Sequence, residues 1–211
     1  MGYDRRNMAS RYVIGIDEVG RGALAGPVTV GAVALRMGTK FDPAVLKDLK
    51  LKLRDSKKLT PRERERWVSY LKKRGDIRFK ISSVASKTID RINISRAANL
   101  AATRSFEKLA DRDILRTNPL VFLDGGLYLM GNWGKKLRVR TVIKGDETID
   151  AVKLASIFAK VYRDRLMTRR HEKYPHYDFP KHKGYGTALH MKSLKRHGLS
   201  DIHRKSFCHF I

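Results

Sequence analysis

Apolar and polar positions along the chain follow two periods, and their succession predicts strands and helices in a mixed order. Residues 12–16 form a short β-branched run bounded by glycine, the pattern of a buried strand. Residues 28–35, VTVGAVAL, form a second, and the short connection makes the pair an antiparallel hairpin. Thr60, Pro61 and Glu63 supply the N-cap, first helical position and capping-box acid of a helix predicted over 61–74, stopped by Gly75. Ile77, Phe79 and Ile81 alternate with Arg78 and Lys80, which predicts a third strand with one covered face. Ser95 is the expected cap of a helix reaching Leu109, whose small residues suit close packing on a sheet. LVFLD after Pro119 predicts a fourth strand, residues 138–144 a fifth, and the helical spacing of apolar residues over 149–170 a long, partly cation-sheathed helix. No repeat, low-complexity block or linker divides the chain. The pattern therefore predicts an α/β layer fold with a basic, helical C-terminal part.

Charge changes this picture more than composition does. In 211 residues, 46 Lys and Arg against 21 Asp and Glu leave a net +25, spread over nearly every segment. Such a surface calls for a polyanionic partner, with a solvated surface of no specific partner as the alternative. The longest apolar run, residues 28–35, is too short to span a bilayer, so nucleic acid is the expected partner and a membrane is not. Residues 1–12 carry no apolar leader, and Arg6 spoils a myristoylation match at Gly2, so a cytoplasmic location is expected. Cys208 is the only cysteine, which rules out an internal disulfide and a thiolate metal cluster and suits a reducing compartment.

Candidate chemistry begins where the first strand ends. Asp17 and Glu18 are followed at once by Gly20, Arg21 and Gly22, then Gly26, so two carboxylates stand beside a segment whose bare backbone can approach a ligand. The local pattern also fits a tight hairpin with solvated acids at its tip. Asp124 repeats the placement at the end of LVFLD, and Asp146 closes the loop after the fifth strand in Lys144-Gly145-Asp146. If those strand ends are neighbours, four carboxylates converge, a hard-oxygen set suited to Mg²⁺ or Mn²⁺. Two such ions, about 3.5 to 4 Å apart, are a known means of hydrolysing a phosphodiester. Ser56-Lys57-Lys58 offers a grip on phosphate or a solvated lysine pair. The run 182–187, HKGYGT, sets Tyr185 between two glycines, which suits either stacking on a sugar or base or filling a turn. All seven histidines lie between His171 and His209, in no zinc-binding spacing, so phosphate contact or solvent accounts for them.

Taken together, GIDEVGRGALAGPV, LRDSKKLT, FLDGG, KGD, LASIFAKVYRD, HKGYGT and IHRKSF resemble, in order and spacing, the motifs of type 2 ribonuclease H enzymes of the bacterial kind. The resemblance runs from about Tyr12 to Phe207. It implies a ribonuclease H-like mixed five-stranded sheet flanked by helices, with a catalytic domain over 1–170 and a basic C-terminal helical extension over 171–211 packed on it. It implies hydrolysis of the RNA strand of RNA/DNA hybrids, and incision on the 5′ side of single ribonucleotides embedded in DNA, leaving a 3′-hydroxyl and a 5′-phosphate. The family's metal-binding and catalytic carboxylates fall on Asp17, Glu18, Asp124 and Asp146. Its 2′-hydroxyl-reading element falls on Gly20, Arg21 and Gly22, its junction-sensing tyrosine on Tyr185, and its phosphate contacts on Ser56, Lys57 and Lys144. Asp164 is read as a helix residue paired with an arginine. Val19, Ala23 and Leu199 depart from the usual residues without removing a functional group. The end, RKSFCHFI, lacks the glutamine-led motif for docking on a sliding clamp, and nothing demands more than a monomer. The rival expectations are a non-catalytic basic nucleic-acid-binding protein, with its acids merely solvated, and another two-metal nuclease acting on DNA.

Overall fold

The structure, a computed structural model, describes residues 11–210 apart from Leu51 and Asp55. The reading of the amino terminus, residues 1–10, and Asp55 of LRDSKKLT lie outside the described residues. Strands β1 (Tyr12–Val19), β2 (Val28–Arg36), β3 (Ile77–Val84), β4 (Leu120–Asp124) and β5 (Arg138–Val142) form one mixed sheet, ordered β3, β2, β1, β4, β5 from edge to edge. The expected hairpin of β1 and β2 is present, with Asp17 opposite Gly31. β3 continues the antiparallel half, whereas β4 runs parallel to β1 and β5 parallel to β4. Helices are α1 (Pro43–Asp48), α2 (Pro61–Lys72), α3 (Ser86–Ile92), α4 (Ile94–Leu109), α5 (Arg112–Arg116), α6 (Trp133–Lys136), α7 (Gly145–Thr148), α8 (Asp150–Lys173), α9 (Phe179–His182) and α10 (Ala188–His197).

The period of two along each strand sorts side chains between the two faces. Ile14, Ile16, Val30 and Ala32 pack against Ala97, Ala101 and Phe106 of α4 on one face. Val33 and Leu35 pack with Trp67 and Leu71 of α2 and with Leu154 and Phe158 of α8 on the other. Gly15 and Gly31 let α8 lie directly on the sheet: a Cβ on Gly15 would sit 2.1 Å from the Ala151 carbonyl carbon, and one on Gly31 2.5 Å from the Ala155 oxygen. A third cluster joins Ala25 and Met167 to Tyr177, Phe179 and Leu194, so the carboxy-terminal segment is seated against the loop that follows β1.

Three local details differ from the sequence expectation. α4 is capped by Asn93, whose side-chain oxygen accepts the Arg96 N–H at 2.9 Å, and not by Ser95, because α3 ends on that asparagine in a positive-φ conformation that asparagine tolerates. α3 itself is too short, and too interrupted by polar residues, to show in the apolar pattern. The capping box of Thr60 and Glu63 forms as expected, although α2 closes at Lys72. β5 ends at Val142, and Lys144 takes a left-handed turn, φ +56°, that swings the chain into α7.

Candidate active site

Parallel pairing of β1 with β4 aligns Gly15 with Phe122 and Ile16 with Leu123, so Asp17 and Asp124 come next to each other at the adjoining strand ends. Both belong to the face covered by α8. The turn at Lys144 then brings Asp146 back over them: Asp124 Oδ1 accepts the Gly145 N–H at 2.6 Å and the Asp146 N–H at 3.4 Å. One carboxylate oxygen from each of Asp17, Asp124 and Asp146 lies within 4.8 Å of the others. Glu18 follows the strand pleat toward the opposite face and is not in that trio. Its Oε2 is nevertheless buried without a hydrogen-bond partner, while Oε1 takes the Arg21 guanidinium at 3.4 Å.

Burial of like charges has a direct electrostatic consequence. The Asp17 carboxyl is held well above the usual range, first by burial, then by the neighbouring charges of Glu18 and Asp124, against which Ser156 supplies a hydrogen bond. Burial also raises Glu18, opposed by Arg21, and raises Asp124, where the charge of Asp146 adds to it. A close, partly desolvated set of oxygen donors with an unpartnered carboxylate oxygen beside it fits a hard divalent cation, which would relieve the repulsion.

Around the acids lies a cleft of about 330 Å³ whose lining includes Asp17, Glu18, Gly20, Arg21, Gly22, Ser56, Lys57, Asp124 and Tyr185. Lys57 Nζ pairs with Asp146 Oδ2 at 3.0 Å. Ser56 is buried, 2.7 Å from Ser156 Oγ, so it stands behind Asp17 with little surface to offer a phosphate. Lys144 is not among the residues lining the cleft; it is exposed, with Nζ 4.0 Å from Glu147. Asp164 pairs with Arg64 at 3.5 Å and Lys160 at 2.9 Å, the arginine partner that was expected.

The loop from Gly20 to Pro27 is held from behind by two arginines to which the residue pattern assigned no role. Arg204 donates to the carbonyls of Gly20 at 2.6 Å, Arg21 at 2.7 Å and Gly26 at 3.0 Å. Arg163 donates to Ala25, Pro27 and Lys183 and lies 5.3 Å from the centre of the Tyr185 ring. Neither has a carboxylate in ion-pair range among the described residues, and burial pushes Arg204 down to about 9. Gly20 has φ +86°, and a Cβ there would meet the Arg163 side chain at 2.1 Å. Gly184, φ +85°, likewise lies where a Cβ would strike the Ala25 oxygen at 2.5 Å. Ala23 bridges to Tyr185, and Leu24 N–H donates to the Gly184 carbonyl at 2.8 Å, so the loop after Glu18 and the tyrosine segment form one wall. Arg163 and Arg204 sit inside LASIFAKVYRD and IHRKSF, and those motifs were the available signal.

A model of the ribonuclease HII family matches residues 14–210 of this chain. The chain belongs to the ribonuclease HII family. A ribonuclease HII from Clostridium beijerinckii is 40% identical over 205 residues, which cover 97% of this chain and 70% of that protein. One from Caldicellulosiruptor bescii is 41% identical over 202 residues, covering 95% and 88%. Among solved structures, the complex of PCNA with ribonuclease HII from Archaeoglobus fulgidus matches with a TM-score of 0.66 at 26% identity, covering 92% of each chain. Ribonuclease HII membership makes the chain a metal-dependent ribonuclease acting on RNA/DNA hybrids, and the mixed five-stranded sheet is the ribonuclease H-like fold. The non-catalytic binding reading is thereby set aside. No helix among the described residues is long and apolar enough to cross a membrane.

Proposed function

We propose that this ribonuclease HII also incises duplex DNA on the 5′ side of a single embedded ribonucleotide, with Asp17, Glu18, Asp124 and Asp146 as ligands of two Mg²⁺ or Mn²⁺ ions. The observation that carries the reading is the shared wall: Asp17, Glu18, Asp124, the Gly20–Gly22 segment and Tyr185 line one cleft, and Asp146 is buried against Asp17 and Asp124 at its edge. A solved neighbour of the same fold, Bst-RNase HIII, is in complex with Mn²⁺. Bound divalent ions supply an activated water and neutralise charge at the leaving oxygen.

The protein's own residues do the rest. Bare backbone at Gly22, where a Cβ would meet open space, lets a sugar edge come close to the loop's N–H groups, while the missing Cβ of Gly20 lets the segment pack on Arg163, which is how a 2′-hydroxyl can be told from hydrogen. Arg21 carries a guanidinium at the same edge for the adjoining phosphate. The Tyr185 ring, half-buried and backed by Arg163 and Lys160 at 5.3 and 5.7 Å, offers its free side to the deoxyribose that follows. Lys57 sits beside Asp146, where its charge also meets phosphate.

The test gives purified protein three duplexes with and without Mg²⁺: all-DNA, DNA with one ribonucleotide, and RNA/DNA hybrid. Cleavage of the second with a 3′-hydroxyl product, and none of the first, is the expected result. Cutting of the hybrid alone would overturn the single-ribonucleotide reading, and equal cutting of all three would overturn sugar recognition altogether.

A further inference from the structure

We propose that a groove between α3 and α4 is a second binding site for the sugar-phosphate backbone of the substrate duplex, outside the catalytic cleft. It has a volume of about 630 Å³, with Val84, Ile92, Leu100 and Met130 among its apolar lining, Ser83 and Thr88 as neutral polar residues, and Arg91, Arg96 and Arg104 at its charged positions. All three arginines are exposed, and none has a side-chain hydrogen bond or ion pair among the described residues. That sets them apart from Arg74, Arg78 and Arg165, each of which is paired to an acid. The acids of the neighbouring elements are engaged elsewhere: Asp90 of α3 accepts from the Lys205 and Ser206 backbone, and Glu107 of α4 from Trp133 Nε1. A groove whose charged lining is arginine alone, on an apolar floor, complements an anion with extended sugar surface between its charges.

Its position fits one continuous ligand. Arg96 and Arg104 are eight residues apart along α4, a rise of roughly 12 Å, enough to reach more than one phosphate of a duplex strand. This stretch of α4 also begins next to the catalytic cleft, since Arg21 Nη2 donates to Ser95 Oγ at 2.9 Å and Ser95 precedes Arg96. A strand running past the Gly20–Gly22 segment therefore arrives at these guanidinia. The inference rests on an RNA/DNA duplex being the substrate and not on incision at a single ribonucleotide.

Binding of a fluorescent 20-base-pair RNA/DNA hybrid and of the all-DNA duplex, followed from 50 to 200 mM KCl in EDTA, tests the site. Removing two phosphate contacts in Arg96→Ala/Arg104→Ala lowers the salt slope by about 1.8, so its affinity gap from the unaltered protein closes about tenfold over that range. Arg91→Ala, on a separate helix, lowers the slope by about 0.9, and Arg96→Lys/Arg104→Lys keeps most of it. With Mg²⁺, the double alanine variant shows a raised KM and an unchanged kcat on the hybrid. An unchanged slope in both alanine variants, or a fall in kcat with KM constant, overturns the groove. If the unaltered protein fails to cut a duplex carrying one embedded ribonucleotide while the slopes fall as stated, the groove stands and the single-ribonucleotide reading falls.

Discussion

At the scale of single residues, the decisive feature is that Asp17 is buried among like charges while Glu18, one position on, is not one of the trio. Adjacent strand residues point to opposite faces, so a DE pair can contribute to a site from two sides but never as a flat pair. The placement of Asp17, Glu18 and Asp124 at strand ends was legible in the sequence, because each terminates an apolar run. That Ser56 would be spent on Ser156, and that Lys144 would turn outward, was not, because both depend on what lies across the cleft. Asp124→Asn is expected to lower hybrid cleavage by about a thousandfold or more, while binding of the hybrid in EDTA is unchanged or tighter because one negative charge is gone. A parallel loss of binding and melting temperature would reassign Asp124 to folding. Asp17→Asn bears on stability. A carboxyl whose folded pKa is raised favours the fold below its unfolded value and loses that contribution as pH rises through the folded value. The metal-free variant should therefore melt higher than the unaltered protein at pH 7.5, with the gap shrinking toward pH 4.

At the scale of elements, the site is a junction of β1, β4 and α7 in front of a wall made by two loops. The wall is stiff because Arg204 and Arg163 satisfy six backbone carbonyls from inside the protein. An orphaned buried carbonyl costs about 1–3 kcal/mol, so Arg204→Gln should lower the melting temperature. It should also reduce incision at a single ribonucleotide more than cleavage of a long hybrid, where many registers are available. Equal loss on both substrates at a temperature where the variant is folded would mean that Arg204 only holds the fold together. Behind Tyr185, neutral histidines are linked in sequence: Ser200 N–H donates to His203 Nδ1 at 2.9 Å, His203 Nε2 meets His190 Nε2 at 3.0 Å, and His190 Nδ1 meets the Tyr185 carbonyl at 3.0 Å. Seven histidines at no zinc spacing were read in the sequence as phosphate contacts or solvated side chains. For His190 and His203 the structure gives a third answer, a buried core, since both are hidden from solvent.

At the scale of the whole molecule, two sets of buried titratable groups oppose each other. Burial brings His190 and His203 down to about 4, so the stability they lend is complete above their unfolded pKa of about 6.5 and is lost as pH falls from there toward 4. The acids of the candidate site, whose carboxyls burial raises, act in the reverse sense. Thermal unfolding of the metal-free protein from pH 7 to 4 should accordingly fall more steeply in Asp17→Asn than in the unaltered chain, and a parallel pair of profiles would contradict the assignment. By itself the sequence determined the alternation of strands and helices, the hairpin of β1 and β2, the excess of cations and the acids that close apolar runs, because period, caps and charge are local properties of the chain. Only the tertiary structure decided which of those acids meet, which arginines are buried as struts and which stand bare in a groove. Those outcomes depend on the parallel register between β1 and β4, which are separated by about a hundred residues, and on α8 lying directly upon two glycines of the sheet.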